Sequence, residues 1–73
     1  MTDSEKNNLI VFGNHLQNLR KSKNLSLRKL ALNCKIEHSD IKKFENGERN
    51  MTFLTMLEYA KGLDISLKDL LDF

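Results

Sequence analysis

Seventy-three residues with one cysteine, no proline and a formal net charge of +2 make one domain, in which roughly 60% of the unfolded chain's surface can be buried. The lone Cys34 excludes an internal disulfide, and His15 and His38 stand at no metal-ligand spacing with it or with each other, so no metal or cofactor is expected and stability must come from helix packing or self-association. No apolar run approaches the roughly 18 residues of a membrane span, and Met1-Thr2-Asp3-Ser4-Glu5 lacks the basic-then-apolar order of a secretion signal, which points to a cytoplasmic protein with neither a membrane nor a small-molecule partner.

Leucines recur at helical spacing while β-branched residues are sparse, so the chain reads as all-α with five short helices. Residues 1–8 are polar and read as a flexible N-terminal arm ahead of a single domain over 9–73. Helix one is expected from about Leu9 to Lys23, with Leu9, Phe12, Leu16 and Leu19 on one face and Ile10 and Val11 outside it; His15, without a partner in this pattern, is expected at the surface. Ser26 stands where an N-cap belongs for a two-turn helix from Leu27 to about Asn33. Helix three follows from about Glu37 to Glu45, stopped by the left-handed Asn46-Gly47. Thr52 caps helix four, whose Phe53, Met56, Leu57 and Ala60 are expected inward before Gly62 ends it. Ser66 and Asp69 form a capping-box pattern for a last helix reaching Leu71.

Charge is divided unevenly along these elements. Residues 20–49 hold nine lysines and arginines against four acids, a net +5, while the rest of the chain nets −3. A basic centre between acidic ends suits a polyanion, although such a cluster is also what a solvated face looks like. Helix three separates the two readings. At about 100° per residue, Ile41, Phe44 and Glu45 share one face, and Ser39, Lys43 and Asn46 lie opposite with Lys42 at their edge. A polar, partly cationic ridge of this kind fits a B-DNA major groove about 12 Å wide.

The apolar register Leu30, Ala31, Cys34, Ile36, Ile41, Phe44, counted from Leu27, resembles the helix-turn-helix, in which a small residue such as Ala31 lets two steeply crossing helices approach. From Phe12 to Leu71 the segments "LRKSKNLSLRKLA", "IKKFENGERN" and "MLEYAKGLDISLKDLL" are similar to successive parts of the XRE family, which includes the lambda-type phage repressors and Cro. The resemblance implies a five-helix domain that binds operator DNA, usually as a symmetric dimer. It also implies an ion pair between Arg20 and Glu45 that ties the recognition helix to the scaffold and turns the guanidinium toward DNA. By the same correspondence His38, Ser39 and Lys43 fall where base edges are read. A solvent-exposed or capping role is nearly as well suited to His38.

Three departures weaken the match. Leu27 stands where the family has a glutamine that supports a phosphate contact, though backbone amides at that helix start can still bind phosphate. Lys35 replaces the turn glycine, so either it takes a positive φ, at a cost on the order of 1 kcal/mol, or the turn has another shape. Glu37 and Asp40 bring negative charge to the start of helix three, where they suit the helix dipole and oppose phosphates; Asp40 is read as a helix-start acid ahead of a cytosine contact.

Phosphate contacts fit Ser26, Arg28, Lys42, Asn46, Arg49 and Asn50, clustered at the start of helix two and just after helix three, with plain solubilising charge the other reading for Arg28 and Arg49. Cys34 reads as an apolar filler. Leu54, Leu67, Leu71 and Phe73 are candidates for an isologous dimer patch, unless Leu67 and Leu71 complete the monomer core.

No serine-histidine-acid set or glycine-rich phosphate loop is present, and the carboxylates are dispersed, so an enzyme is not expected. The leading expectation is a sequence-specific DNA-binding regulator, most simply a repressor acting as a dimer on a near-palindromic operator. An antitoxin with a toxin partner and a restriction-modification controller are the alternatives. With no segment left over for a sensor, regulation is expected through concentration, a partner or proteolysis.

Overall fold

A computed structural model describes all 73 residues as five helices: α1 (Asp3–Ser22), α2 (Leu27–Leu32), α3 (His38–Glu45), α4 (Phe53–Leu63) and α5 (Leu67–Leu70). It measures 33 × 24 × 22 Å, and the long dimension matches α1, whose 20 residues span about 30 Å at 1.5 Å each. Helix α3 packs against both α1 and α2, while α4 packs against α2 and α5. No helix is long and apolar enough to cross a membrane.

The first helix starts six residues before the sequence reading placed it, at Asp3 rather than Leu9. Thr2 Oγ1 accepts from the Glu5 amide at 3.1 Å and Glu5 Oε1 accepts from the Thr2 amide at 2.9 Å, a reciprocal cap that satisfies two otherwise orphaned amides. The hydrogen bond from the Thr2 backbone holds the Glu5 carboxyl below its ordinary value. Residues 3–8 of the expected arm are therefore helical, with Thr2 as their extended cap; their polarity reflects a turn with no neighbour to pack on, and the helix runs through it on its cap.

Side-chain oxygens of Ser26, Thr52 and Ser66 cap α2, α4 and α5 by accepting from the amides of Lys29, Thr55 and Asp69. Helices α1, α3 and α4 each stop on a left-handed residue: Asn24 (φ 59), Gly47 (φ 74) and Asp64 (φ 58). Around Gly47 the Glu48 amide reaches Lys43 O at 2.9 Å and the Gly47 amide reaches Phe44 O at 3.1 Å, the paired bonds that close orphaned carbonyls at a helix end. Helix α4 runs past Gly62 to Leu63. Gly62 has a different job, because a Cβ there would fall 2.7 Å from Leu30 Cδ1 and 3.3 Å from Cys34 Sγ. Its missing side chain lets α4 pack closely on Leu30 of α2 and on Cys34 just beyond it.

The core comprises Leu16, Leu30, Ile36, Ile41, Met51, Tyr59, Ala60, Leu63 and Leu70. On α4 the buried stripe is Tyr59, Ala60 and Leu63 with Met56 beside it, which leaves Phe53 61% exposed and Leu57 39% exposed. Both were expected inward. The first turn of α4 projects past the core, and Leu57 lies about 40° round the helix from Phe53, so both sit at the edge of the stripe. His15 departs from expectation in the other sense: it is half-buried, its ring stacks on Phe73 at a centroid distance of 4.8 Å, and Nε2 lies 2.7 Å from Leu70 O. Since a carbonyl only accepts, Nε2 carries the proton. Phe73 also rests on Phe12 at 5.4 Å, so this small aromatic stack binds the end of the chain to α1.

Candidate nucleic-acid interface

Helix α3 has eight residues, too short to persist without tertiary support. Ile41 is fully buried and Phe44 half-buried against the core. On the α1 side Gly13 removes the obstacle to close packing: a Cβ there would lie 2.5 Å from Glu45 O and 2.7 Å from Phe44 O. The backbone of α3 thus seats directly on the backbone of α1.

At the end of α3 the Glu45 carboxylate is buried and accepts from Arg20 Nε at 2.8 Å, Arg20 Nη2 at 2.9 Å and the Tyr59 hydroxyl at 2.7 Å. Arg20 Nη1 donates to Leu25 O at 2.7 Å, and no buried side-chain polar atom lacks a partner. Burying two charges costs several kcal/mol each unless the geometry is good and their remaining polar sites are satisfied, and both conditions hold. The hydrogen bond to Glu45 raises the Arg20 pKa above its ordinary value. Burial, with Glu45 accepting its proton, pushes the Tyr59 hydroxyl far above the usual tyrosine range. One carboxylate on α3 thereby fixes α1 and α4 to the recognition helix. The guanidinium does not face outward as the family resemblance implied; Arg20 is 7% exposed and its donors are aimed at Glu45 and Leu25.

The far side of α3 is open. His38, Ser39, Lys42, Lys43 and Asn46 are all exposed, and Ser39 and Lys43 project opposite Ile41. Arg28 and Ser26 at the start of α2, and Arg49 and Asn50 beyond α3, are exposed as well. Several of these polar groups already have partners. Ser26 Oγ accepts from the Lys29 amide at 3.1 Å, Asn46 Nδ2 donates to Glu48 Oε1 at 3.4 Å, and Arg49 Nη1 donates to Asp40 Oδ1 at 2.8 Å. Lys42, Lys43 and Arg28 enter neither of the two ion pairs in the molecule, Arg20–Glu45 and Arg49–Asp40.

The turn between α2 and α3 has the second of the two shapes allowed for it. Lys35 does not take a positive φ; its amide instead donates to Glu58 Oε1 at 2.9 Å, so a carboxylate from α4 stabilises the turn. Cys34 is half-buried, its Sγ donates to Leu30 O at 3.3 Å, and burial raises its thiol pKa. A thiol held protonated in this way is a packing group. No cluster of His, Cys, Asp and Glu is placed to hold a metal ion.

Of the proposed dimer residues, Leu67 is half-buried against the core, while Leu54, Leu71 and Phe73 are exposed by 73, 44 and 63%. Three contributors escaped the sequence reading. Tyr59 lies outside the stripe of Phe53, Met56, Leu57 and Ala60 expected inward, and nothing in the sequence announces its hydroxyl contact. Gly13, inside a helix, gave no hint of a backbone contact 32 positions on. Glu58, the partner of the turn, offered no signal beyond its charge.

Two short helices joined by a tight turn, the second held against the scaffold with a polar ridge outward, define a helix-turn-helix DNA-binding regulator. Residues 13–72 match the family described as "Helix-turn-helix domain", and the chain belongs to that family. Among similar proteins, it is 38% identical over 65 residues to the control protein C.BamHI of Bacillus amyloliquefaciens, covering 88% of this chain and 80% of that one. It is 36% identical over 62 residues to the control protein C.MunI of Mycoplasma sp, covering 84% of each. Its structure is similar to the restriction-modification controller protein C.AhdI of Aeromonas hydrophila, with a TM-score of 0.86 and 33% identity over 94% of this chain and 99% of that one. It shares its fold with the clp gene regulator ClgR of C. glutamicum at a TM-score of 0.78 and 22% identity, over 85% of this chain and 80% of that one.

Proposed function

We propose that the chain is a cytoplasmic transcriptional regulator of the restriction-modification controller type, binding a near-palindromic operator as a dimer. The observation that carries this is the exposed ridge of Ser39 and Lys43 on a helix whose opposite face is fixed by Ile41 and by the Arg20–Glu45–Tyr59 network. A rigid ridge is what base readout needs, because discrimination between base pairs depends on donors held in register with the groove.

Lys43 donates to guanine O6 or N7, Ser39 pairs with several bases, and His38 enters with the first turn of the helix. Arg28, Lys42, Asn46, Arg49 and Asn50, with the amides at the Ser26 cap, contact phosphates and set the register without reading sequence. Leu54, Leu71 and Phe73 form the dimer face, joined by the neighbouring Phe53 and Leu57, with Leu67 at its buried margin. Two recognition helices in such a dimer sit about 34 Å apart, one turn of B-DNA. The kinship with control proteins favours this reading over an antitoxin with a toxin partner.

Binding to the DNA upstream of its own gene, measured across salt concentrations, tests the proposal. Affinity is expected to fall steeply with salt. Lys43→Ala should cost about 1 to 3 kcal/mol on the operator and relax sequence preference, while Lys42→Ala, at a cation outside both ion pairs, should weaken binding to all sequences alike. Equal losses on every sequence for both variants would remove Lys43 as a base reader. An adjacent methyltransferase gene supports the controller role, whereas a small toxin-like neighbour supports the antitoxin.

A further inference from the structure

The Arg49–Asp40 pair joins the flank of α3 to the segment leading into α4. Asp40 lies about 100° round the helix from Ile41 and about 60° from Lys43, at the border between the buried face and the outward ridge. Arg49 Nη1 reaches Asp40 Oδ1 at 2.8 Å through a single hydrogen bond, with both side chains substantially exposed, at 49 and 37%. The pair lines an open groove between α3 and the start of α4, together with Glu37 and Asn50. A cation beside the ridge is thus neutralised by a carboxylate of the same interface before any nucleic acid arrives.

We propose that Asp40 is an electrostatic brake on Arg49: it withholds that guanidinium from phosphate on non-cognate DNA and so raises the ratio of specific to non-specific binding. The inference rests on the DNA-binding reading above and goes beyond it by giving a role to a residue that makes no favourable contact with DNA. Non-specific binding depends almost wholly on the number of phosphates neutralised. On non-cognate sequence, where the base contacts of the ridge do not form, little compels Arg49 to exchange its carboxylate for a phosphate. An exposed pair contributes at most about 1 kcal/mol, enough to change non-specific affinity several-fold while remaining breakable when a cognate site aligns the phosphate.

Asp40→Asn removes the charge and preserves the shape, and the probe is a random-sequence duplex titrated across salt. The variant is expected to bind about 2- to 5-fold tighter than wild type, by the upper limit of an exposed pair, and its logarithmic salt slope should steepen by about 0.9, one additional phosphate contact. In an Arg49→Ala background the same substitution should leave the slope unchanged. Glu37→Gln, which removes a nearby acid that has no cationic partner, should leave the slope as in wild type. An Asp40→Asn slope equal to wild type, or the same gain with and without Arg49, would overturn the brake and leave DNA binding intact. A wild-type chain that shows no salt-dependent binding to either this duplex or its own upstream DNA would overturn both.

Discussion

Glu45 carries an unusual share of the molecule's organisation. Its two oxygens take donors from α1 and α4, and each donor is itself buried. The raised pKa of Tyr59 has a definite consequence for stability, because a hydroxyl that must stay protonated in the folded state ionises more readily once the chain unfolds. That contribution is fully present below the ordinary tyrosine value of about 10 and is lost as pH rises toward the folded value. Tyr59 is the single tyrosine, so phenolate absorbance reports on it alone. On alkaline titration the phenolate signal and the loss of helical circular dichroism should rise together. Phenolate appearing near pH 10 while the helices persist would show that the hydroxyl is not held as described.

Among the elements, α3 is held in place by its neighbours, and on the α1 side backbone meets backbone. Gly13→Ala gains up to about 1 kcal/mol of helix propensity, but the new methyl meets the carbonyls of Phe44 and Glu45, which are backbone and cannot rotate away. Overpacking of this kind costs about 1 to 3 kcal/mol, so the variant should show a lower denaturation midpoint and weaker DNA binding. A midpoint at or above wild type would mean that the two helices part without penalty. Much at this scale was legible beforehand: the Ser26, Thr52 and Ser66 caps and the Asn46-Gly47 stop are local chemistry that a sequence displays directly. The α1 start was hidden because Thr2 and Glu5 sit in a stretch with no apolar periodicity. The inward assignment of Phe53 failed because helical spacing says which residues share a face and not how far the core extends along it.

For the molecule as a whole, Phe53, Leu54 and Leu57 leave an apolar face of α4 exposed. If the dimer forms there, Leu54→Glu should convert it to monomers in sedimentation, leave the helical spectrum unchanged and reduce operator affinity much more than affinity for a half-site. Retained dimers would place the interface elsewhere. The helix-turn-helix itself was legible because a register of apolar positions and a small residue encode a crossing of two helices. The groups that lock it were less so. Arg20 and Glu45 could be paired only through family resemblance, and Tyr59 and Glu58 belong to contacts that only the folded chain creates.

The seating of α3 separates two tasks along a single short rod. Its inner edge answers to Gly13, Arg20 and Tyr59, while Ser39 and Lys43 answer to nothing within the monomer. Mutation can therefore rewrite the outer letters without re-solving the interior, so a new target preference is open to this scaffold at little risk to its folding.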